Sequence, residues 1–229
     1  MTDYLNRSHP SIVLGSQLSF PEEIALITVR SGGEKARGFW SDYRESMTVG
    51  LLCEWIFWGR LTPSGPGKFT NTQGVVSDPV IAQFDDLLGP EIDAVQWIRK
   101  NAQQVESRIM SILEAQQLLA EGTKKGLFGK KAFLEPTEQG AALAANRRAV
   151  YRAILQQEAA APAAESLFLT LMQAITRGVN AFKEGSEPLT SGTFNDSAPS
   201  WMEVTNGPAV VNLLETILRD RQSTAISGG

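Results

Sequence analysis

Apolar residues recur at helical spacing along most of this chain, and the densest run lies between Phe39 and Leu61. Within it Met47, Leu51, Trp55 and Trp58 line one side of a helix, and Leu52, Ile56 and Gly59 line another. A helix that is apolar on nearly every side belongs in the middle of a domain rather than on its surface. The run is too short, and too interrupted by Glu54, to cross a bilayer. Gly59, free to take positive φ, is the expected stop. Phe39-Trp40 precede the helix in a charged loop led by Ser31-Gly32-Gly33. Trp40 is therefore either the first packed residue under the helix start or an exposed aromatic with a contact of its own.

Residues 1–17 read as a loose arm. Leu18 to Val29 carries a helix start, with Ser19 as cap, Glu22 completing a capping box and Pro21 in the first turn. After the core helix, Arg60 to Ser77 has turn residues between β-prone pieces, Arg60-Leu61-Thr62 and Gly74-Val75-Val76, which predicts a hairpin with a long loop. Asp78-Pro79 caps a helix with Val80, Ile81, Phe84, Leu87 and Leu88 on one face. A short helix is expected over Ile92–Lys100 and a long amphipathic one over Val105–Glu121, stopped by Gly122 or Gly126. Leu127 to Leu134 has apolar ends around a Gly-Lys-Lys turn, a second hairpin. Further helices are expected over Ala141–Gln156, Leu167–Phe182 and Ala209–Asp220, with a junction at Glu158–Glu165 and a long loop at Glu184–Ser200. The expected fold class is mainly α: a single helical domain over 18–221 with a central buried helix and small β-hairpins, and a frayed tail over 222–229.

Composition narrows the chemistry. The 229 residues carry a net charge of −4, with one Cys and one His. General affinity for nucleic acid is not expected, so anion binding needs a local basic pocket. A lone cysteine excludes an intrachain disulfide and fits a reducing compartment. His9 sits in the loose arm, and Cys53 lies mid-helix among Leu51, Leu52 and Trp55, so neither makes a catalytic pair or a zinc site. Glu22-Glu23 and Asp85-Asp86 are adjacent carboxylates that point about 100° apart on a helix and do not converge on one ligand. Ser64-Gly65-Pro66-Gly67-Lys68 lacks the spacing of a phosphate loop. No catalytic residues, metal or cofactor are expected. Arg147-Arg148 reads as an exposed face, with a phosphate patch as the alternative.

Several segments, taken in order, resemble the Golgi phosphoprotein 3 family of phosphoinositide-binding proteins: LSFPEEIALITV, FWSDY, the buried helix ending in WGRL, DPVIAQFDDLL, VQWI, RIMSILEAQQLLAEG, LFGKKAFL and AVVNLLETIL. The likeness is collinear over about 18 to 220. It implies one mostly helical domain that docks on membranes containing phosphatidylinositol 4-phosphate and self-associates through a hairpin, here 127–134. It also implies a cytoplasmic, peripheral membrane location, on the Golgi in a eukaryote, and an adaptor role. The family's exposed tryptophan corresponds to Trp40. Its first headgroup arginine falls at Thr48 or Val49, with Arg44 one turn earlier as a substitute. On the long amphipathic helix, aligning on Gly122 matches Arg108 and Ser111, whereas aligning on Gly126 gives Ile112 and Ala115. The Gly122 register keeps Ile112 out of the pocket, so the headgroup candidates are Trp40, Arg44 and Arg108. The family's arginine-rich N-terminal segment has no counterpart, since the arm holds only Arg7. The other reading of the same fold is a protein-interaction or regulatory homologue without lipid binding.

Overall fold

In a computed structural model, which describes residues 18–29, 43–126, 129–156, 169 and 206–227, the chain is mainly helical with two small antiparallel sheets. The first helix, α1 (Phe20–Thr28), is buried along its whole length. Its start is satisfied by carboxylates. The Ser19 amide and hydroxyl donate to Glu22 Oε2 at 3.0 and 2.6 Å, and the Phe20 amide donates to Glu54 Oε1 at 2.8 Å. These bonds take up donors that a helix N-terminus leaves without intrahelical partners.

Glu54 belongs to α2 (Tyr43–Phe57), the core helix, whose residues 46–56 are all buried. A Cβ on Gly50 would lie 3.2 Å from both Ile24 Cδ1 and Phe20 Cβ, so the missing side chain lets α1 cross close over α2. The helix ends as expected. Gly59 takes φ +67°, its amide donates to Ile56 O at 3.0 Å, and Arg60 N donates to Trp55 O at 2.8 Å, the paired closure of a Schellman motif.

A hairpin forms in the expected stretch, but between β1 (Leu61–Gly65) and β2 (Lys68–Asn71) around a tight turn rather than a long loop. Gly74-Val75-Val76 is not a strand, and the sheet instead gains β3 (Glu91–Asp93), which pairs Ile92 with Phe69. The segment after Asp78-Pro79 is a 3₁₀ helix, Ile81–Leu87, rather than an α-helix. Asp78 Oδ1 accepts from the amides of Val80 (2.7 Å) and Ile81 (2.9 Å), as the capping role requires.

The two helices expected over 92–100 and 105–121 are one, α3 (Ala94–Ala115). Polar Asn101 does not interrupt it, because its side-chain amide donates back to Trp97 O at 2.9 Å and stays buried. α3 runs antiparallel to α2: Tyr43 Oη meets Met110 Sδ at 3.2 Å near one end, and Trp55 meets Trp97 edge-on, centroids 5.3 Å apart, near the other. It stops before either expected glycine. Gln117 adopts φ +62°, and Leu118 N donates to Leu113 O at 2.9 Å.

The second hairpin is consequently longer than 127–134. β4 (Leu119–Gly126) pairs with β5 (Gly129–Pro136), and Lys130 and Lys131 stand within a strand, opposite Lys125 and Lys124. Thr137 Oγ1 accepts from Gly140 N at 3.0 Å and caps α4 (Glu138–Leu155). The last helix, α5 (Gly207–Ser227), runs past Asp220 into the stretch expected to fray. It is tied to the first sheet by Asn212 Oδ1, which accepts from Gly67 N at 3.2 Å, and to α3 by Arg99 with Asp220 at 2.8 Å. The elements expected over 158–200, apart from buried Leu169, lie outside the described residues, as does the arm over 1–17.

Candidate functional site

Arg44 stands in the first turn of α2, with its side chain 52 % exposed, and is ion-paired with Glu106 of α3, whose side chain is 12 % exposed. Tyr43 lies beside this pair. Burial and the Glu106 carboxylate push its phenol well above the ordinary tyrosine range, with Arg44 opposing them. Trp40, four positions earlier, lies outside the described residues. The neighbouring positions matched by the resemblance face inward. Thr48 is buried with its hydroxyl on Arg44 O at 2.7 Å, and Val49 is buried as well.

Arg108 occupies a different setting. Its two terminal nitrogens bind the two Asp86 carboxylate oxygens at 2.5 and 2.6 Å, and Nη1 also donates to Gln83 O at 2.7 Å. Its guanidinium lies 5.8 Å from the Phe84 ring centroid. All three partners belong to the 3₁₀ helix, so Arg108 clamps that segment onto α3. The pairing holds the Asp86 carboxyl below its ordinary range and raises the Arg108 guanidinium.

Glu106 and Arg108 are two positions apart on α3, which places them about 200° apart around its axis. The Arg44–Glu106 and Arg108–Asp86 pairs therefore occupy opposite flanks of that helix. The structure does not bring Arg44 and Arg108 together over one headgroup. Ser111 and Ala115 are exposed and Ile112 is half-buried.

Arg147 and Arg148, expected on an exposed face, are turned toward α1. Arg147 pairs with buried Glu23 and donates to Tyr151 Oη at 2.8 Å, while Tyr151 Oη donates to Glu23 Oε1 at 2.6 Å. Arg148 Nη1 donates to Ile27 O at 2.9 Å. The adjacent carboxylates Glu22 and Glu23 diverge, as the helical spacing requires. Glu22 accepts from Gln116 Nε2 at 2.7 Å, while Glu23 takes the α4 partners. Both carboxylates join helices and serve the fold. The sequence signal for this was present only in part: a PEE helix start explains negative charge there, but not the burial of both residues.

Compared with protein-family models and with curated protein sequences, the chain finds no match. Cys53 is fully buried, and burial raises its thiol well above the ordinary range, so it does not supply a thiolate. Among the described residues no cluster of His, Cys, Asp and Glu is suited to hold a metal, and no helix is long and apolar enough to cross a membrane. What the exposed chemistry offers is a guanidinium at the start of α2. There the helix N-terminus also favours an anion, and a tryptophan stands four positions earlier in the sequence.

Proposed function

We propose that this chain is a peripheral membrane protein that binds phosphatidylinositol 4-phosphate headgroups and serves as an adaptor. The headgroup contact is carried by Arg44 with Trp40. The observation that supports this most is the position of Arg44: half-exposed, in the first turn of the buried core helix, and ion-paired to Glu106. An indole suits the interfacial region of a bilayer, Trp40 precedes Arg44 by four positions in the sequence, and a guanidinium grips phosphate through paired charge-assisted bonds. The mainly helical architecture, with a buried central helix and hairpins, accords with the resemblance carried by the sequence. The clamp on Asp86 favours a structural role for Arg108 over a headgroup contact.

A second reading, a protein-interaction or regulatory module of the same fold without lipid binding, draws on one observation. Arg44 and Arg108 each face a carboxylate, which offsets their charge. Co-sedimentation decides between the two. Vesicles containing phosphatidylinositol 4-phosphate are expected to recover the protein, neutral vesicles are not, and Trp40→Ala or Arg44→Ala is expected to weaken recovery about tenfold or more. Equal recovery on both vesicles overturns the lipid reading. The second reading then expects self-association through the β4–β5 hairpin, seen as a mass above that of the monomer in light scattering.

A further inference from the structure

We infer that Glu106 sets the ligand selectivity of the Arg44 site, admitting phosphomonoester headgroups and rejecting phosphodiester ones; this rests on the headgroup reading above. The two partners are unequally placed. The Glu106 side chain is 12 % exposed and set against the protein, whereas that of Arg44 is 52 % exposed and reachable from water. An anion arriving from solvent meets a guanidinium that already has a carboxylate partner. To bind, it must replace that carboxylate or share the guanidinium with it, and in both cases the Glu106 charge remains close by.

The cost of this competition depends on ligand charge. A phosphodiester lipid brings one negative charge at its phosphate, which only matches what Glu106 already supplies. Exchange then gains nothing, and repulsion from the displaced carboxylate opposes it. A phosphomonoester carries about −1.5 to −2 near neutral pH and three acceptor oxygens. It exceeds the carboxylate in both charge and hydrogen-bonding capacity, so exchange runs forward. Glu106 thus acts as a threshold built into the site. Its place on α3, beside Tyr43, fixes it opposite the start of α2. Arg108 takes no part, since its carboxylate partner lies on the other flank.

The test uses the full chain and two vesicles of equal surface charge in a phosphatidylcholine background, one with phosphatidylinositol 4-phosphate and one with phosphatidylserine. The wild type is expected to prefer the first by about tenfold or more, and Glu106→Gln to reduce that preference to about twofold by raising binding to the phosphatidylserine vesicle. Glu215→Gln is the control, because it makes the same change in net charge and removes the partner of another exposed arginine, Arg219. Should Glu106→Gln fail to fold, Glu106→Asp keeps the charge, withdraws it by one methylene, and is expected to lose part of the preference. A preference unchanged in the Glu106 variants, or lowered equally by Glu215→Gln, overturns the role of Glu106 and leaves the headgroup reading standing. Absence of binding to both vesicles in the wild type and the Glu106 variants overturns the headgroup reading itself.

Discussion

Glu54 Oε1 accepts the Phe20 amide at 2.8 Å, joining the middle of the core helix to the first turn of α1 across 34 positions of sequence. The carboxylate is fully buried and supplies α1 with a partner that its own residues do not provide. Removing it orphans a buried N–H and leaves a void where α1 crosses α2. Glu54→Ala is therefore expected to destabilise the protein by about 3 kcal/mol, combining the desolvated donor with the cavity. Glu54→Gln retains an acceptor oxygen and is expected to cost about 1 kcal/mol. Urea denaturation followed by tryptophan fluorescence measures both, and equal losses in the two variants would show that the Phe20 bond is not what Glu54 contributes.

The Glu23–Arg147–Tyr151 group joins α1 to α4, and its members are unequal. Glu23 is almost wholly buried, so deletion of its cationic partner strands a charge in the interior. Arg147→Ala is expected to cost about 3–5 kcal/mol. Tyr151→Phe removes one hydroxyl that donates to the same carboxylate and is expected to cost about 1–2 kcal/mol. Because the group sits between helices, a combined Glu23→Leu, Arg147→Met variant is expected to recover much of the stability lost by Arg147→Ala alone. Thermal unfolding of the four proteins reads this, and a double variant less stable than Arg147→Ala would refute it.

Local signals account for what was legible in the sequence. The Ser19–Glu22 box marked the start of α1, the apolar run marked α2, and Gly59 marked its end. Where side chains act across the fold, the pattern misled. The stretch 101–104, left between two expected helices, continues α3, with Asn101 donating back to Trp97 O. Gln117 stopped α3 in a left-handed conformation usually marked by glycine, so the helix was expected to run on to Gly122. That displaced the start of the second hairpin, whose first strand, LAEGTKKG, has little β propensity of its own and takes its form from pairing with β5. The candidate site was legible only as isolated cations. Nothing local to Arg44 or Arg108 indicates that Glu106 or Asp86 faces it, since 62 and 22 positions separate the partners.

The Arg108–Asp86 clamp has a pH signature that distinguishes it from a solvated charge. Asp86 has an ordinary carboxyl value of 3.8, and Arg108 lowers it in the folded protein, first by the side-chain hydrogen bonds and then by its charge. A depressed carboxyl pKa means that the unfolded chain takes up protons more readily than the folded one as pH falls. The contribution is thus fully present above the ordinary value of 3.8 and is lost as pH falls through the lower folded value. Because the Asp86 side chain is 57 % exposed, solvent screens the pair, and its coupling in a double-mutant cycle with Arg108 is expected to be about 0.5–1 kcal/mol at neutral pH. Stability measured against pH for the wild type and Asp86→Asn should show a constant gap near neutrality that closes as acid protonates Asp86. A gap that persists unchanged in acid would mean that Asp86 holds the 3₁₀ helix by shape rather than by charge.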